Sequence, residues 1–243
     1  MSEISDITSG DLSSCDKRDM PQRPFPRSLQ GGRQVKLLEP DWNQAKPSWD
    51  EAVEMCSGVQ LTQVLPTNEP FKVFAESINK SHRNGGLQLA GFEVGFNIVF
   101  DWFASRNRLT EFDVLDRLLV RPTIREALPE LAIPDSFTDG KGCSLSTSFG
   151  FGLSTSFTLD GDFARSLYHG GAYHKQTGDG RTEKELAIRV CDAMFGLRYG
   201  EVNRYTSSQM WTPFFRGIAW DSSDVLFDRR LRRLWIVAIT DTD

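Results

Sequence analysis

Apolar and polar positions alternate with a period of two along residues 88–102. Ala90, Phe92, Val94, Phe96, Ile98, Phe100 and Trp102 fall on one side, and Gly91, Glu93, Gly95, Asn97 and Asp101 on the other. Successive side chains of a strand point to opposite faces, so this spacing predicts a strand with one buried face. A second alternation covers 145–159, with Leu145, Phe149, Phe151, Leu153, Phe157 and Leu159 opposed by Ser, Gly, Thr and Asp. The pentapeptide Leu-Ser-Thr-Ser-Phe begins at 145 and again at 153, and Gly150 and Gly152 between the two copies predict a bent strand or a hairpin. Both segments are expected to be central strands, with Phe92, Phe96, Phe100, Phe149 and Phe157 buried against helices.

Elsewhere the period is helical. Phe71, Phe74, Ala75 and Ile78 form one stripe, ended by Asn84-Gly85-Gly86. Phe112, Leu115, Leu118 and Leu119 form another, opened by Thr110 with Asp113 at the capping-box position and broken by Pro122. Short helices are expected at 51–56, capped by Ser48 or Asp50, and at 123–128 and 162–168. A longer helix is expected from Thr182, with Glu185 completing a capping box, to Phe195. Aromatic and β-branched runs at 202–206, 214–220, 225–227 and 234–240 predict further strands, with turns at Ser222-Ser223 and 228–230. The class this order defines is α+β: a mainly antiparallel, twisted sheet covered by several helices. Residues 1–35, with Pro21, Pro24 and Pro26 and no apolar period, are expected to form a disordered tail, leaving 36–243 as one domain.

Composition narrows the function classes. With 39% apolar residues, including 17 Phe and 6 Trp, the 243-residue chain can build a sizeable core. Its 33 acidic against 28 basic side chains argue against nucleic acid as a partner, because phosphate recognition needs a concentrated positive surface. Cys15, Cys56, Cys143 and Cys191 share no metal-ligand or disulfide spacing and are expected to be reduced thiols. Residues 1–10 carry no apolar stretch of the kind a secretion signal needs, and no run of about 18 apolar residues occurs, so a cytoplasmic protein is expected.

Chemistry-bearing residues gather in the last third. His169 and His174 flank Gly170-Gly171, a turn that lets a ligand approach closely, and imidazole titrates near neutrality. The glycines break the helical spacing that two zinc ligands would need, so no metal site is expected. Trp211, Phe215 and Trp220, with Tyr173 and Arg216 nearby, have the make-up of an aromatic-lined pocket or of the core and rim of a β-meander, and Asp221 supplies a carboxylate. Asp241 and Asp243 could present oxygens to a cation, and Arg229, Arg230, Arg232 and Arg233 suit carboxylate or phosphate contacts or a solvated hairpin tip. The chain lacks a phosphate-binding glycine loop or a dinucleotide fingerprint, so no cofactor is expected.

Three functions fit these features. The first is a protein binding a small molecule or a protein partner near the C-terminal sheet. The second is a cofactor-independent enzyme with His169 or His174 as base and Asp221 as acid or orienter. The third is a pore-former that opens the two alternating segments into a membrane, against which the negative charge and the intervening helical region both count.

Overall fold

Strand β6 (Arg233–Thr240) reads Arg-Leu-Trp-Ile-Val-Ala-Ile-Thr, an apolar run with little alternation. Such a run belongs to a strand covered on both faces. The computed structural model, which describes residues 36–135, 148–173 and 179–242, places it inside a six-stranded, open, antiparallel sheet. The other strands are β1 (Leu61–Val64), β2 (Gly86–Val94), β3 (Gly152–Ser154), β4 (Val202–Ser207) and β5 (Ser222–Asp228), and the spatial order is β1-β2-β6-β5-β4-β3. Leu234, Ile236 and Ala238 point into one core and Trp235, Val237 and Ile239 into the other.

Helices cover both faces, giving a three-layer α+β fold. Helices α1 (Trp49–Gly58), α3 (Ile98–Ser105), α4 (Val114–Leu119) and α5 (Pro122–Ala127) contribute to the core on one face. On the other face, α2 (Glu69–Ser81), α6 (Leu159–His169) and α7 (Arg181–Phe195) pack through Phe74, Ile78, Phe163, Leu167, Val190 and Phe195. The described residues all lie in one unit, Val35–Asp243. Residues 1–35, expected as a disordered tail, lie outside the described residues, as does the glycine-rich turn at 139–142. Among the described residues no helix is long and apolar enough to cross a membrane.

Local chemistry explains most element ends. Ser48 and Glu51 form a reciprocal capping box on α1, and Pro70 and Pro122 sit in first turns, where a missing N–H costs nothing. In β2, Gly91 lies opposite Trp235, and a Cβ there would stand 2.6 Å from the indole, so only glycine lets that ring lie flat across the strand.

The two alternating segments depart from expectation. The first is a strand only to Val94. Asn97 then accepts hydrogen bonds from the Val99 and Phe100 amides and starts α3, so Phe100 is buried from a helix while Phe96 is 81% exposed. Helix α3 is apolar around most of its circumference, so residues 98, 100 and 102 extended the strand pattern by coincidence. The second segment is an edge strand of three residues, paired only to β4, and it passes into α6. Phe149 is buried there and Phe157 is 69% exposed, whereas Leu145 and Thr147 lie outside the described residues.

Other differences are local. Thr110 makes no side-chain cap and Asp113 takes a left-handed conformation at φ 54°, so no capping box opens α4. Helix α7 is capped by Asp179, which accepts from the Arg181 and Thr182 amides, not by Thr182 with Glu185. Residues 214–220 form a turn rather than a strand, and Ser222 and Ser223 belong to β5.

Candidate functional site

Helix α6 ends at His169 because Gly170 takes φ 65°, which reverses the chain. The next residue must be glycine for a different reason. A Cβ on Gly171 would collide with the Asp241 carboxylate and stand 2.6 Å from the Ser81 carbonyl. Asp241, 1% exposed, accepts from the Ala172 amide at 2.7 Å and the Asn84 amide at 3.0 Å. One carboxylate thus ties the Gly-Gly turn to the α2–β2 connection, a structural duty that leaves Asp241 neither a solvated end nor free for a cation. Asp243 lies outside the described residues.

Opposite this turn is a second carboxylate-centred one. Asp221 Oδ2 accepts from the amides of Arg216, Gly217 and Ile218 at 2.9, 2.6 and 3.2 Å, and Thr240 donates to Oδ1 at 2.5 Å. Three converging N–H groups satisfy a carboxylate in the way a helix N-terminus satisfies an anion. That is why residues 214–220 curl instead of extending.

Between the two turns lies a cavity of about 360 Å³, bordered by His82, Arg165, His169, Gly171, Trp220 and Asp221 among others. A second hollow of about 380 Å³ shares Arg165, Asp221 and Ser222 with it and is otherwise rich in hydroxyls, including Ser154, Thr206 and Ser208. Arg165 therefore borders both hollows, and the ion pair found for its guanidinium is a long one of 3.6 Å to Asp162. The floor of the second hollow is the Arg204 guanidinium, 4% exposed, held by Asp224 at 2.7 Å and Asp162 at 2.8 Å. Burial raises the Asp224 carboxyl above its ordinary value even with that guanidinium beside it.

Of the residues singled out from sequence, His169, Trp220 and Asp221 come together around the first cavity. Trp211 and Phe215 do not. They pack with Phe149 and Phe151 into the core, where the Trp211 indole N–H donates to Ser223. Tyr173 is 68% exposed, Arg216 is exposed and contributes its backbone amide to the Asp221 turn, and His174 lies outside the described residues. The arginines after β5 are occupied internally. Arg229 donates to the Gly200 carbonyl, Arg230 to Glu201, Arg232 to the Val94 and Gly95 carbonyls, and Arg233 to Glu93.

His82 and Arg165 are the lining residues that sequence reasoning passed over. Ser-His-Arg-Asn-Gly-Gly looks like an ordinary helix end, and Arg165 sits on a short helix with many other charges, so neither carried a readable signal. Among the described residues the cysteines offer no nucleophile: burial pushes the thiols of Cys56 and Cys191 up to about 12. Among the described residues no cluster of three potential ligands could hold a metal ion. No protein-family model and no curated protein matches the sequence.

Proposed function

We propose that the chain is a binding protein for a small polar molecule, seated between the Gly-Gly turn after α6 and the Asp221 turn. The observation that supports this reading is the convergence of three distant parts of the chain, residues 82, 165–172 and 219–222, on one cavity. That cavity offers a loosely paired guanidinium, two imidazoles and a half-buried indole. A few convergent polar groups beside an aromatic wall describe a small-molecule site. Binding is favoured over turnover by a His169–Asp221 pair because both oxygens of Asp221 already accept hydrogen bonds from the protein, and none joins it to His169.

A fragment library screened by ligand-observed NMR tests the reading. Hits are expected to lose about tenfold or more in affinity in Arg165→Ala and in Trp220→Ala, since a charged or aromatic contact contributes on the order of 1.5 to 3 kcal/mol. Hits indifferent to both substitutions would place binding elsewhere and end the proposal.

A further inference from the structure

His82 follows the last turn of α2 and borders the cavity although it is only 2% exposed. Its Nδ1 lies 3.2 Å from the Ile78 carbonyl and 2.9 Å from Ser81 Oγ. A carbonyl oxygen only accepts, so the Ile78 contact is a hydrogen bond only in the Nδ1–H tautomer. Ser81 agrees: its hydroxyl lies 3.1 Å from both the Ser77 and Ile78 carbonyls and gives its one proton to them, so it faces His82 as an acceptor. In that tautomer the neutral ring has its lone pair on Nε2.

The ring is held in that state. Burial lowers the His82 pKa from its ordinary value, against the opposing pull of the Asp241 carboxylate and the Ile78 carbonyl, so the neutral form prevails. Gly171 has no room for a Cβ beside the Ser81 carbonyl, and the Ala172 amide is fixed to Asp241. No described residue donates to Nε2. The cavity lining thus combines an imidazole whose Nε2 has no partner among the described residues, a loosely paired cation at Arg165 and Trp220.

Building on the binding reading above, we infer that His82 Nε2 receives a hydroxyl or amino group of the ligand while Arg165 takes its anionic group. The ligand class is a small hydroxylated or aminated anion, carboxylate or phosphate monoester. A molecule without the donor leaves a buried Nε2 unpaired, and a molecule without the anion leaves Arg165 to solvent. Discrimination by an unpaired buried group is stronger than discrimination by a missing methylene.

Matched probes decide this. Glycolate against acetate, lactate against propionate and malate against succinate differ by one hydroxyl, and 2-hydroxypropyl phosphate against propyl phosphate repeats the comparison for the other anion. With the full chain, the donor-bearing member of the carboxylate or the phosphate series is expected to bind roughly tenfold more tightly than its partner. The series that shows the effect identifies the anion. His82→Asn keeps an N–H for the Ile78 carbonyl and removes Nε2, so the preference should vanish there and return in part in His82→Gln. A nitrogen-15 spectrum of the imidazole should show the Nδ1–H tautomer. An Nε2–H tautomer, equal affinity within every pair, or no binding by any probe at millimolar concentration would overturn the assignment. Equal affinities that still fall in Arg165→Ala would remove His82 alone and leave the binding reading standing.

Discussion

Asp116 on α4 is a buried carboxylate, 4% exposed, that accepts from the Phe149 amide at 3.0 Å and the Ser148 hydroxyl at 3.2 Å. Burial outweighs those two bonds and raises its pKa to about 6 from a reference of 3.8. The sign follows from proton counting. Between those two values the folded chain keeps a proton that the unfolded chain releases, so the contribution of this carboxyl to stability grows as pH falls from about 6 toward 4 and fades as pH rises. A shift of roughly two units bounds the effect at about 3 kcal/mol. Urea unfolding of Asp116→Asn between pH 4 and 7 is expected to lack that component and to show a correspondingly flatter profile below pH 6. An unchanged profile would mean that Asp116 is not the group that holds the proton. The residue scale is also where sequence said least. His82 and Asp116 matter through burial and the direction of a single bond, and neither leaves a trace in spacing or composition.

Among the elements, the Arg204 guanidinium is the principal polar junction. It joins β4 to β5 through Asp224, reaches α6 through Asp162, and donates to the Thr155 carbonyl and the Thr158 hydroxyl that precede that helix. Replacing it with methionine would strand two carboxylates, one of them inside the fold. Arg204→Met is expected to lower unfolding free energy by about 3 to 5 kcal/mol, measured by urea titration. A loss below about 1 kcal/mol would show that the site collapses or admits water cheaply. Elements with caps and a single buried stripe were legible: α2, α6 and β6 lie within a few residues of where Phe71, Gly170 and Leu234 placed them. The misread elements were those where a carboxylate or amide side chain redirects the backbone. Asn97 starts a helix inside an apparent strand, and Asp221 gathers three amides where Phe214 to Trp220 read as extended. Part of the candidate site was legible: the Gly-Gly turn beside His169 marked one wall, and side-chain chemistry marked Trp220 and Asp221, whereas Trp211 and Phe215, chosen on the same chemistry, pack into the core against Phe149 and each other.

For the whole molecule, the decisive property is a sheet covered on both sides. The strands that contribute to both cores are β2, β6, β5 and β4, and the edges are β1 and β3. Amide hydrogen exchange is expected to be slowest in β2, β5 and β6 and faster by orders of magnitude in β1 and β3, because edge strands open without disturbing the centre. Equal protection in β3 and β6 would contradict the strand order. The order also has a temporal side. A nascent chain leaves the ribosome with β1 and β2 first and β5 and β6 last, yet β6 is the seam between β2 and β5. Until Leu234 to Ile239 emerge, the two halves of the sheet have no common strand, and Phe92 on β2 lacks its neighbour Leu234. Synthesis can therefore prepare this protein but cannot assemble it step by step: the molecule closes around the strand it receives last.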